Sequence, residues 1–193
     1  MGLAVLIIGL ALFIANHLFV GFRAQRAALM TRLGRPLYHT LFGIVSLVSL
    51  ALIVWGYAEY RATEWTQIWL PPAYMRHITV GLMLIASILV AAYLIPSHIR
   101  ARAKHPLLAA TKVWAFAHLL SNGDLGSMIL FGSILAWAVY ARINAKHRKD
   151  VVLPAAPVGW MNDMFVVLVG IALFLALGYW FHPYAIGVPV FGR

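Results

Sequence analysis

Apolar residues run along this chain in long stretches separated by short basic ones. Six stretches stand out, at residues 2–22, 37–58, 77–96, 106–121, 125–141 and 161–181, the fourth interrupted only by Lys112. A helix rises ~1.5 Å per residue, so about 20 residues cross a hydrocarbon core of ~30 Å. The pattern therefore predicts an all-α fold, a polytopic transmembrane helical bundle of about six spans. The fourth and fifth stretches are shorter, which places their joint at 121–126 in the head-group layer. Residues 2–22 lack the basic leading region of a cleaved signal peptide and are long enough to span, so they read as a retained first helix. Residues 151–159, with Pro154 and Pro157, read as an irregular connection before the last span. No repeat or low-complexity tract interrupts the chain, and residues 1–193 read as a single transmembrane domain.

Composition strengthens this picture. Of the 193 residues, 63% are hydrophobic and 10% charged, and the mean hydropathy is +0.88. A water-soluble domain of this size lacks the interior volume to hide so much apolar surface. Lipid is the solvent that removes the problem.

Charge then orients the bundle. The formal net charge is +10, which in a soluble protein would suggest nucleic acid; here it is read by loop position, and no nucleic-acid partner is expected. Arg23, Arg26, Arg32 and Arg35 follow the first span, Arg100, Arg102 and Lys104 the third, and Arg142, Lys146, Arg148 and Lys149 the fifth. The second-to-third loop holds only Arg61 and Arg76, and the fourth-to-fifth turn no basic residue. The positive-inside rule puts both termini on the non-cytoplasmic side. Trp65, Trp69 and Tyr74 suit an aromatic belt on the outer face.

The candidate chemistry is narrow. There is no Cys, which excludes disulfides, thiolate metal sites, iron–sulfur clusters, cysteine nucleophiles and covalently attached haem. Glu59, Glu64, Asp124, Asp150 and Asp163 all lie at span ends or in loops, which argues against a paired-carboxylate enzyme. No phosphate-binding glycine loop, nucleophile elbow or HExxH occurs.

Eight histidines remain. His77, His98, His147 and His182 fall at predicted interfaces, where an imidazole costs little. His17 and His118 lie inside apolar runs. The face of His118 carries Thr111, Trp114, Ala115 and Asn122, smaller and more polar than the rest of its span, so it is expected to point inward. Two intramembrane imidazoles on different helices read either as helix-to-helix hydrogen-bonding groups or as an axial haem pair. His39 and His105, at the cytoplasmic ends of the second and fourth spans, are backup ligands or capping groups. Lys112 lies two turns after His105 on the same face, either snorkelling or facing an anion such as a haem propionate.

The segment His105-Pro-Leu-Leu, then Trp114-Ala-Phe-Ala-His118-Leu-Leu-Ser-Asn122-Gly123-Asp124-Leu, resembles the signature of the NnrU family, bacterial membrane proteins associated with denitrification and nitric oxide metabolism. Arg35-Pro-Leu-Tyr38, residues 46–50 and Trp55-Gly56 extend the resemblance over most of the chain. That family is distantly similar to the plastid 15-cis-zeta-carotene isomerase, a haem b protein. The resemblance implies an inner-membrane location and a buried haem b with histidine ligation, His118 first and His17 its partner. Asn16, Thr111, Trp114 and Asn122 become candidates to tune the iron. The redox-linked change to a cysteine ligand described for the isomerase is impossible in a chain without Cys.

Counting from the basic boundaries, His17 lies ~9 Å and His118 ~18 Å into the bilayer. The offset must be absorbed by tilt, or His39 competes as the partner of His17. The function expected is a bis-His haem b membrane protein acting through redox or nitric oxide chemistry, with a quinone, nitric oxide or an apolar polyene as partner. The alternatives are a haem-dependent cis–trans isomerase of a carotenoid-like polyene and a cofactor-free assembly factor for a denitrification complex. Whether the protein is an enzyme is left open by the residues.

Overall fold

In the computed structural model, the described residues are 1–146 and 159–191. The expected connection at 151–159 therefore lies, up to residue 158, outside them, as do His147, Arg148, Lys149 and Asp150. The described residues are all helical apart from loops and one isolated bridge between Gln67 and Asp124. The helices are α1 (Gly2–Phe19), α2 (Arg23–Leu33), α3 (Arg35–Thr63), α4 (Met75–Leu94), α5 (His98–Ala103), α6 (Pro106–Ser121), α7 (Leu125–Lys146) and α8 (Trp160–Ala176), which continues as a π-helix over Leu177–Ile186.

Five of these are long and apolar enough to cross a membrane: α1, α3, α4, α7 and the continuous Trp160–Ile186. The fourth expected span, 106–121, coincides with α6, whose 16 residues make it the shortest of the apolar helices. The other expected stretches also became helices, with ends shifted for local reasons. α3 and α7 run on past Arg61 and Arg142, because a long basic side chain can carry its charge to the interface without breaking the helix. α4 stops at Leu94 because Ile95, extended at φ −109°, precedes Pro96, whose ring disfavours a helical residue before it. Two basic connections expected as loops contain helices, α2 and α5. Neither buries a residue.

The packing forms two compact units, Met1–Leu70 with Asn122–Trp137, and Pro71–Ser121 with Ala138–Arg193.

In the first unit, α1 lies against α3 at backbone distance. A Cβ placed on Gly56 would strike the backbone of Leu6, and one on Gly9 would come within 2.8 Å of Ile53 N. Small residues at such crossings substitute for the hydrophobic drive that lipid removes. The Glu64 carboxylate accepts from the amides of Gly2 (2.7 Å) and Leu3 (3.2 Å), capping α1. Asp124 caps α7 in the same way, its Oδ1 accepting from Ser127 N at 2.9 Å. Arg26 of α2 sits over the ring of buried Tyr38, 5.8 Å from its centroid.

In the second unit, α4 is the hub, packed by both α6 and α8. Gly170 of α8 lets the chain approach Ile88, whose Cα would lie 2.6 Å from an added Cβ. Ala91, Ala92 and Val166 form the core beneath, with Ile88, Ile95, Ile99 and Val169 around them. Thr79 of α4 donates to the Ala117 carbonyl of α6 at 2.9 Å. Asp163 accepts from Ile99 N at 3.1 Å and faces His98 Nδ1 at 2.7 Å, tying α8 to α5.

Candidate functional site

His17 lies in the last turn of α1. Its Nδ1 is 2.8 Å from the Phe13 carbonyl one turn back, so Nδ1–H donates and the lone pair sits on Nε2. The ring stacks on Phe13 at 4.0 Å and meets Phe42 and Trp137 edge-on at 5.3 and 5.4 Å. Asn16 beside it donates to the Phe42 carbonyl (3.2 Å) and to Ser46 Oγ (2.9 Å), joining α1 to α3. His17 thus occupies an aromatic box in the first unit.

His118 lies in the second unit, in the last turn of α6. Its Nδ1 contacts the Trp114 carbonyl at 2.8 Å, the same one-turn arrangement. The Trp114 ring is 5.1 Å away, tilted by 49°. The ring opposite is another imidazole: His182, with centroids 6.2 Å apart and planes within 22° of parallel. The buried residues of α6 are Pro106, Ala110, Ala115 and Ala117. His118, Thr111 and Trp114 lie between Ala110 and Ala115 around the helix and are half-buried.

The remaining candidates are dispersed. His39 is exposed on α3, edge-on to Tyr38 at 5.3 Å. His105 is half-buried at the corner between α5 and α6, where Lys104 turns the chain at φ 60°. Its carbonyl accepts from Ala109 N at 3.0 Å, starting α6. Lys112 is half-buried along α6, and Asn122 follows the end of that helix. The structure brings Asn16 to His17 within the first unit, and Trp114 to His118 within the second. It assigns His17, Asn16, His39 and Asn122 to the first unit, and His105, Lys112, Trp114 and His118 to the second.

His182 was expected to be an interfacial bystander, and the structure instead sets it facing His118. The signal in the sequence was Pro183: a proline directly after a histidine, inside a continuing apolar helix, forces a local departure from α geometry. Asp124 was likewise expected at a span end; it lies there fully buried, with Oδ2 lacking a hydrogen-bond partner among the described residues.

Among the described residues no three His, Asp or Glu side chains come together as a metal-binding group.

No curated protein and no solved structure matches the chain. The family comparison does: the NnrU protein family matches residues 5–190. With nearly its whole length matched, the chain belongs to the NnrU family.

Proposed function

We propose that this NnrU protein is a haem b-binding integral protein of the bacterial inner membrane, with about six spans and both termini outside the cytoplasm. His118 is the residue that would hold the haem iron first. The observation that carries this reading is the setting of that side chain. It is an imidazole within an apolar helix, oriented by donation from Nδ1 to the Trp114 carbonyl. That bond fixes the tautomer with the coordinating lone pair on Nε2, the arrangement metal-bound histidines adopt. His17, the partner expected from the sequence, has the same bond to Phe13.

Bound haem would supply one-electron redox chemistry or, with one axial position open, a place for a small ligand such as nitric oxide. The chain's own groups orient the ligands, exclude water and hold the imidazole tautomers. An electron-transfer or sensing role linked to nitric oxide metabolism follows most directly from histidine ligation.

The six-span topology draws support from the basic residues of α2 and α5, which follow the first and third spans. α6 then counts as a short span, and its 16 residues reach ~24 Å at ~1.5 Å per residue. A chain free of native Cys allows a clean accessibility test. Arg102→Cys is expected to react with an impermeant thiol reagent only from the cytoplasmic side, and Trp65→Cys only from the other. The reverse pattern overturns the orientation.

The test of the function is the absorption spectrum of protein purified from haem-replete cells, oxidised and reduced. Sharp α and β bands, lost in His118→Ala, are expected. A colourless protein that also fails to take up added haem would rule the cofactor out and favour an assembly factor whose histidines join helices.

A further inference from the structure

The haem reading leaves the basic end of the first unit, and the segment Arg35-Pro-Leu-Tyr38 within it, without a role. Arg23, Arg26, Arg32 and Arg35 fall close together there, and no acidic residue precedes Glu59 in the chain. Three of these arginines are exposed; Arg26 is half-buried, its guanidinium carbon 5.8 Å from the centre of the Tyr38 ring. Tyr38 itself is only 5% exposed. At this one place two polar atoms, Arg26 Nε and the Tyr38 hydroxyl, are shut off from water without a hydrogen-bond partner among the described residues. The other described side-chain atom in that state, Asp124 Oδ2, lies beyond the far end of α3. Buried polar groups are nearly always hydrogen-bonded, so two orphans side by side call for a shared partner.

The chemistry of the orphans says what that partner is. Arginine Nε–H can only donate, and a phenol O–H donates to any stronger acceptor. The partner is therefore an acceptor, and the guanidinium charge favours an anion, phosphate above all. The separation suits one such group. The hydroxyl lies no farther from the guanidinium carbon than 5.8 Å plus the reach of the phenol from ring centre to oxygen, a gap that a phosphate with a hydrogen bond on either side can bridge. Position then names the source. α1 and α3 are each long and apolar enough to cross a membrane, and α2 joins the end of one to the start of the other. The site thus lies at a membrane boundary, at the depth of phospholipid phosphates. Phe22, just before α2, and Leu37 and Leu41, on either side of Tyr38 in α3, stay exposed as apolar flanks for acyl chains. α2 buries no residue, so it can ride outward to admit a phosphate at little cost in packing. A bilayer carries phosphates at both faces, so none of this depends on which side the termini lie.

We propose that Arg26 and Tyr38 form a binding site for the phosphate of an anionic phospholipid. Arg26 Nε–H and the Tyr38 hydroxyl seat the phosphate, and Arg23, Arg32 and Arg35, with no acidic residue near them in sequence, favour a net-negative head group over a zwitterionic one. The site is independent of the haem reading.

The experiment titrates the full chain, purified in detergent, with phosphatidylglycerol, phosphatidylcholine or inorganic phosphate and counts bound molecules by native mass spectrometry. The wild type is expected to prefer phosphatidylglycerol to phosphatidylcholine. Arg26→Gln is expected to weaken phosphatidylglycerol binding ~10-fold or more, since a hydrogen bond to a charged group is lost with the charge. Tyr38→Phe, which alters no charge and keeps the ring under the guanidinium, is expected to weaken it about 10-fold for the same reason. Arg32→Gln, at an exposed position, is expected to cost no more than the ~5-fold of any basic side chain near an anionic surface. Should Arg26→Gln fail to fold, Tyr38→Phe answers alone. Binding unchanged in either variant, or weakened as much by Arg32→Gln, overturns the site in favour of diffuse attraction. Equal affinity of the wild type for the two lipids also overturns it. Inorganic phosphate that competes with phosphatidylglycerol at equal concentration overturns the lipid as its ligand.

Discussion

His17 and His118 are alike in helix position and backbone hydrogen bond and unlike in their surroundings. Each stands in the last turn of an apolar helix, and each ties Nδ1 to the carbonyl one turn back at 2.8 Å. In the first unit three aromatic rings close around His17, and Asn16 beside it spends its amide on joining α1 to α3. In the second unit the rings near His118 include Trp114 at 5.1 Å and a second imidazole, His182, at 6.2 Å. An imidazole in hydrocarbon must find a polar partner, and a backbone carbonyl already serves for one nitrogen.

The contrast can be broken most decisively at His118. His118→Ala is expected to lower the haem-to-protein ratio of the purified protein at least ~10-fold, since losing even a supporting group of a metal site costs about that much. Retention of haem at the wild-type level would place the ligand elsewhere.

The next effect is confined to the first unit. Gly56→Ala pushes a methyl against the backbone of Leu6 and is expected to destabilise the α1–α3 pair by about 2–3 kcal/mol. It should lower the thermal midpoint in detergent while leaving the haem spectrum of protein that still folds unchanged. A shifted spectrum would mean that the first unit holds the cofactor after all.

His17→Ala sharpens the same point more gently. It removes one stacked and two edge-on ring contacts, a loss of about 1–2 kcal/mol, visible as a lower melting temperature. Asp124→Ala deletes the cap of α7 and is expected to cost about 1 kcal/mol by the same measurement. The smallest effect belongs to Asp163→Asn. Its contact with His98 lies at an exposed end of α8, and exposed pairs contribute little, so the melting curve is expected to move least.

The positions of the helices were legible because each is a local property. A charge-free apolar run satisfies its backbone only as a helix in lipid, and all six runs at 2–22, 37–58, 77–96, 106–121, 125–141 and 161–181 became helical. The ends were less legible: a charged residue ends an apolar run without ending a helix, as Arg61 and Arg142 show in α3 and α7. α2 and α5 were hidden because a search for apolar runs passes over short basic helices. Of the site, the sequence displayed the unusual position of His17 and His118 and the family signature around the latter.

The amino-acid sequence by itself determined the helical class, the placement of the apolar segments and the identity of the imidazoles stranded among them, because each depends on neighbours a few residues away. The tertiary structure alone decided which rings meet. His182 reaches His118 only because α4 holds α6 and α8 together and because the helix at Pro183 widens. Only the second condition leaves a local mark, the proline after His182; the first leaves none, because packing joins positions far apart in the chain and local patterns carry no record of it.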